Sequence, residues 1–336
     1  MNYTEEKSFA GKYKQNYVDG IEAIITLKQK QAEVKRDQYS KKIFEEQENF
    51  RNAFKKMLGW PLVGHEKSGL PTVETEKISH EDGYSVYRMQ FEVLDGLKMT
   101  GLFFKMESEE KKPLVITQHG GQGTPELISG MYGETYNYNN MLHRIIKNGV
   151  HAFAPQLLLW ADEYNVEYDR KEIDGRLKRV GSSITAVEIY GIMRIIDYFE
   201  CQNYVSDIGM AGLSYGGFYT LYTAAIDTRI KSAVSCAFFN KRDKYPWSDW
   251  TWDNAAEKFD DAEIACLVYP RKLQIGIGNA DPLFECKYGI ESFEKLKKLC
   301  ENVGTDWVDF DAFDGVHEFY KNDNAIQKLI NDITIE

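Results

Sequence analysis

The stretch Gly212-Leu213-Ser214-Tyr215-Gly216-Gly217 places a serine between small residues two positions before it and two after. It follows a strand-like run, Tyr204 to Ala211, and leads into a helix-like one, Phe218 to Ile226. A serine in such a strand-to-helix turn projects its hydroxyl alone, and the helix behind it points backbone N–H groups at any negative charge that develops there. The G-x-S-x-G pattern by itself is weak, since a chain of this length contains it about 0.1 times by accident. Its setting and its partners give it weight.

A serine hydroxyl is a poor nucleophile near neutral pH, so a base must take its proton and a third group must orient that base. Of the six histidines, His65, His80, His119, His143, His151 and His317, only His317 follows Ser214. It lies in Asp314-Gly315-Val316-His317-Glu318-Phe319, on a loop after the last predicted strand. The orienting acid is expected between the two, and Gln274 to Pro282 puts Asp281 just beyond the carboxyl end of a buried strand. Glu285, further along the same loop, is one alternative. Asp314 is the other, although its closeness to His317 also suits a turn cap.

A tetrahedral intermediate needs at least two N–H donors, one of them on the residue after the nucleophile, Tyr215. The second is expected from Gln118-His119-Gly120-Gly121-Gln122-Gly123, with Gly121 favoured and Gln122 next. His119 reads as a hydrogen-bonded structural residue.

These groups need a frame. After Pro113 strand-like and helix-like runs alternate, with strands expected at Leu114 to Thr117, Val150 to Ala154, Val205 to Met210, Ile230 to Phe239, Leu273 to Ile277 and Trp307 to Phe310. That order predicts a mostly parallel sheet covered by helices on both faces, with ligands at the carboxyl ends of the strands. Ahead of it, Tyr87, Met89, Phe91 and Val93 alternate with polar residues, Asp95-Gly96 makes a turn, and Leu97 to Met106 is the returning strand. The sheet is expected to have eight strands, its N-terminal ones antiparallel.

Residues 1–70 read as a helical extension and residues 71–336 as the main domain. Ile43, Gln47, Phe50, Phe54 and Leu58 recur at helical spacing, a stripe expected to dock on that domain, with self-association into a homo-oligomer as its alternative use. Trp60-Pro61 is the expected stop. An aromatic, cap-like insertion occupies about 240–270, with Trp247 and Trp250 as candidate substrate contacts beside Gln122. The Asp169 to Arg176 stretch reads as a solvated loop, with contact to a polar substrate as its alternative use.

Composition excludes several classes. Of 336 residues, 41 are basic and 52 acidic, so the net charge of −11 supplies no driving force for binding nucleic acid or an acidic membrane. Five scattered cysteines lack ligand spacing, which argues against a zinc site or a disulfide framework. With no apolar leader or spanning run, a soluble cytoplasmic protein is expected.

The ordered set of a His119-Gly120-Gly121 loop, the Gly212 to Gly216 elbow, Asp281 and His317 resembles the α/β-hydrolase superfamily. Tyr269-Pro270-Arg271-Lys272-Leu273 and the leading antiparallel strands look like its acetyl xylan esterase and dienelactone hydrolase-like branch. The resemblance covers about Thr72 to Glu336. It departs from dienelactone hydrolases proper, whose nucleophile is a cysteine. It implies an α/β-hydrolase fold and a serine carboxylesterase acting on small-molecule esters with short acyl chains, acetylated carbohydrates among them. Catalytic Ser214, His317 and Asp281 work with Gly121 and Tyr215 in the oxyanion hole, and no metal or cofactor takes part. Ser214-Tyr215-Gly216-Gly217 also resembles the prolyl oligopeptidase branch, which makes a small-peptide serine peptidase the alternative. A non-catalytic binding protein on the same fold is the third reading.

Overall fold

Two helices form the N-terminal segment, α1 (Lys7–Tyr39) and α2 (Gln47–Leu58). The computed structural model describes residues 1–60, 62, 69–160 and 166–334. The first helix runs through Gly11 and Gly20, each of which costs a helix only about 1 kcal/mol. The second stops at Gly59, whose left-handed φ of 108° lets its N–H return to the Lys55 and Lys56 carbonyls. Gly59 rather than Trp60-Pro61 therefore ends the helix, and Pro61 itself lies outside the described residues.

Ile43, Phe50, Phe54 and Leu58 are buried, with the Phe54 ring 5.2 Å from that of Tyr222 and 5.3 Å from that of Phe259. Gln47 and Arg51 donate to the Cys266 and Leu267 carbonyls at 3.1 and 3.2 Å. The stripe docks on the body of the protein, as its spacing predicts.

The sheet has nine strands among the described residues: β1 (Thr72–Glu81), β2 (Tyr84–Leu94), β3 (Leu97–Met106), β4 (Lys112–Gln118), β5 (His151–Pro155), β6 (Val205–Leu213), β7 (Ile230–Cys236), β8 (Lys272–Gly278) and β9 (Val308–Phe313). Their order is β1-β2-β3-β5-β4-β6-β7-β8-β9. Pairing is antiparallel from β1 to β5 across β2 and β3, and parallel from β5 onward. The expected eight strands are corrected to nine by β1. This edge strand is exposed along most of its length and so carries no alternating apolar pattern for sequence reading to detect.

The remaining helices are α3 (Pro125–Ile128), α4 (Met141–Ile146), α5 (Arg170–Arg179), α6 (Ile184–Glu200), α7 (Tyr215–Ile226), α8 (Asp261–Cys266), α9 (Cys286–Leu299) and α10 (Asn324–Thr334). They divide between the two faces of the sheet. Leu114, Ile116 and Met210 join a core with α2, α6, α7 and α8, while Val115 and Ala211 point the other way into a second core with α3, α4 and α10. The central strands are thus apolar on both sides, and the polar loops gather at their carboxyl ends. No helix among the described residues is long and apolar enough to cross a membrane.

Candidate active site

Ser214 stands between β6 and α7 with φ 60° and ψ −121°, backbone angles that a residue bearing a side chain seldom adopts. The turn closes because its flanks carry no Cβ: one on Gly212 would lie 2.3 Å from the Gly216 carbonyl oxygen, and one on Gly216 would lie 2.3 Å from that of Gln118. The Ser214 N–H donates to the Cys236 carbonyl at 2.9 Å, fixing the elbow to the end of β7.

Two loops at the same sheet edge carry the other predicted residues. His317 Nδ1 lies 2.9 Å from Asp281 Oδ2, with the carboxylate fully buried. The second carboxylate oxygen accepts the Leu283 and Phe284 N–H groups at 2.8 and 3.0 Å. An acid held this way fixes the orientation of the imidazole ring. Cys236 links this pair to the elbow, since its thiol donates to the carbonyl of Glu318, next to His317. Neither alternative acid occupies that place. Glu285 pairs with Lys287 at the surface, and Asp314 makes no bond to His317 among the described residues.

In the loop after β4, Gly120 donates to the Tyr138 hydroxyl, Gln122 to the Trp160 carbonyl at 2.9 Å, and Gly123 to the Gly120 carbonyl. Gly121 is left with an N–H that has no hydrogen-bond partner among the described residues, and so is Tyr215 at the first turn of α7. Gln122, the second choice as donor, has its N–H committed and its side chain exposed. His119 is buried, with Nδ1 on the Gly120 carbonyl and Nε2 accepting the Leu157 N–H. Burial lowers its pKa to about 4, so the ring is neutral, as a structural histidine should be.

Beside Tyr215 opens a cavity of about 560 Å³ lined by Trp160, Tyr168, Lys171, Tyr215, Trp247 and Asp249 among others. The two candidate tryptophans divide here. Trp247 lines the cavity, whereas Trp250 is only 3% exposed, stacks behind Trp247 at 4.5 Å and packs at a tilt against Tyr215 at 4.6 Å. Sequence reading missed Trp160, whose ring is 5.2 Å from that of Tyr215 and covers Gly121 so closely that a Cβ there would be 2.5 Å from it. Nothing in the residues around Trp160 marks it beforehand, because its position is fixed by the loop after β5.

The Asp169 to Arg176 stretch is a correction. It is no solvated loop but the start of α5, capped by the Asp169 side chain, and Arg170 is buried within the site. Its guanidinium donates to Asp249 at 2.9 Å, Glu188 at 3.0 Å, the Tyr219 hydroxyl at 2.7 Å and the Leu158 carbonyl at 2.6 Å. One cation between two buried carboxylates joins α5, α6, α7, the loop bearing Trp160 and the insertion between β7 and β8. The charges satisfy one another in place of water.

No family model matches the chain. It is 26% identical over 242 residues to the "Putative hydrolase YtaP" of Bacillus subtilis (strain 168), covering 67% of this chain and 79% of that protein. Among solved structures it is similar to a "putative acetyl xylan esterase (BF1801)" of Bacteroides fragilis NCTC 9343, with 16% identity, coverage of 88% and 84% and a TM-score of 0.66. It is also similar to a glucuronoyl esterase of Solibacter usitatus, with 14% identity, coverage of 84% and 92% and a TM-score of 0.60. For acetyl xylan esterase 1 of Thermoanaerobacterium sp. JW/SL YS485 the identity is 14%, the coverage 87% and 94% and the TM-score 0.57. The chain has the α/β-hydrolase fold.

Proposed function

We propose that this protein is a serine carboxylesterase that hydrolyses short-chain acyl esters of carbohydrate alcohols. The observation that carries the reading is the strained Ser214 elbow at the same sheet edge as a His317–Asp281 pair bonded at 2.9 Å. In the proposed reaction His317 Nε2 takes the Ser214 proton as the hydroxyl oxygen attacks the ester carbonyl, and Asp281 holds the imidazolium that forms. The Gly121 and Tyr215 N–H groups receive the oxyanion. The intermediate collapses to an acyl-enzyme, His317 gives the proton to the departing alcohol, and a water activated by the same ring releases the acid.

The cavity supports the choice of substrate. Trp160, Trp247 and Tyr215 offer the flat apolar faces on which a sugar ring stacks. The structural neighbours, acetyl xylan and glucuronoyl esterases, point the same way. The test is hydrolysis of nitrophenyl esters of increasing acyl length by wild type and Ser214→Ala, followed by acetylated xylo-oligosaccharides. A short-chain preference lost in the mutant is expected. Turnover of peptide amides with none of esters would replace the reading with a peptidase.

A further inference from the structure

We propose that α1 pairs with α1 of a second copy of this chain in an antiparallel two-helix coil, so that the protein is a homodimer held by its N-terminal segment. The proposal does not depend on the chemistry assigned to the site. Residues 7–31 of α1 are all exposed, and the helix buries its first side chains against the body of the protein at Ala32 and Arg36. There Lys35 pairs with Glu257, and Arg36 donates to the Ala256 carbonyl at 2.5 Å. Thr26, Gln29 and Lys30 only line a groove that α1 forms with the insertion between β7 and β8, and the turns before them bury no side chain, although most helical stability in proteins comes from packing an apolar face.

Such a face is present and open. Phe9, Tyr13, Tyr17, Ile21, Ile24, Leu27 and Val34 are between 41% and 71% exposed. Ala10, Tyr13, Tyr17, Gly20, Ile24, Leu27, Gln31 and Val34 follow one another at alternating spacings of three and four, the seam of a two-stranded coil. It lies on the side of α1 away from the turn that carries Arg36.

The sizes along the seam choose the partner and the direction. An antiparallel copy centred between Tyr17 and Gly20 sets Tyr17 against Gly20 and Ala10 against Leu27, so a large residue fills the space that a small one leaves in these two layers, with Tyr13 against Ile24 between them. A parallel copy would set Gly20 against Gly20, leaving a void. The antiparallel stretch from Ala10 to Leu27 spans about 27 Å. It ends at the turn where α1 comes alongside the body, which leaves the two bodies at opposite ends of the rod.

The test is the molar mass of the full chain by sedimentation equilibrium at micromolar concentration, for wild type and for Ile24→Glu combined with Leu27→Glu. Both sites are exposed, so the variant keeps its fold, checked by its thermal midpoint. Wild type at twice the chain mass and the variant at the chain mass are expected. A monomeric wild type, including one that instead binds anionic lipid vesicles, overturns the proposal, as does a variant that stays dimeric. In a Cys201→Ser background, a mixture of Tyr17→Cys and Gly20→Cys chains should cross-link to each other on mild oxidation. Cross-linking confined to Tyr17→Cys with itself would overturn the antiparallel arrangement.

Discussion

The Tyr215 hydroxyl donates to Asp249 Oδ2 at 2.9 Å, joining the residue that follows the elbow serine to the insertion between β7 and β8. Arg170 donates to the same carboxylate oxygen at 2.9 Å. The position of the Tyr215 N–H is therefore set by a charge network as well as by the turn. Arg170→Met leaves Asp249 and Glu188 buried without their cation, which should cost roughly 3–5 kcal/mol of stability. The expected lowering of the urea midpoint checks this, and an unchanged midpoint would mean that the carboxylates find water instead.

Asp249→Asn keeps the shape of that contact but removes the charge. Under the esterase reading it should lower kcat about tenfold with little change in KM, because the oxyanion donor acts on the transition state. Steady-state kinetics on a nitrophenyl ester measures it. A rise in KM alone would assign Asp249 to substrate binding.

Ser214 adopts angles that suit glycine. Ser214→Gly should therefore abolish hydrolysis while raising stability by about 1 kcal/mol through relief of backbone strain. Paired activity and denaturation measurements check both halves. A loss of stability would show that the side chain contributes more than its backbone costs.

Trp160 covers Gly121 and packs edge-on against Tyr215 in the cavity lining. Removing its ring in Trp160→Ala should flatten the preference for short acyl chains and raise KM for acetylated sugars several-fold. A rate series over acyl length reads the first effect and titration with acetylated xylobiose the second. If neither moves, the substrate enters from another side.

His119 and His151 are buried, and burial lowers the pKa of each to about 4. The unfolded chain, with histidine near 6.5, binds protons first as the pH falls, so stability is full above about 6.5 and declines toward pH 4. For His119 the loss reaches roughly 3 kcal/mol at pH 4. Urea denaturation at pH 7.5 and pH 5 should show the lower midpoint at pH 5. A midpoint that does not fall would mean that both rings charge without leaving their sites.

What the sequence alone determined is the local geometry written at short range. Gly212 and Gly216 announce the elbow because the turn cannot close over a Cβ, and Asp95-Gly96 announces its hairpin for a similar reason. The order of serine, acid and histidine follows from strands whose carboxyl ends share one edge. The α2 stripe declares a buried face through its period. Tertiary structure decided the rest. Asp281 was one of three acids until the ends of β8 and β9 brought it to His317. β1 is too exposed to carry a pattern, and Trp160 and Arg170 draw their places from residues far along the chain. Arg170 meets Asp249 across 79 positions. Local backbone geometry leaves its mark on neighbouring residue types, whereas a contact between distant loops depends on sheet order and loop path, which no short stretch encodes.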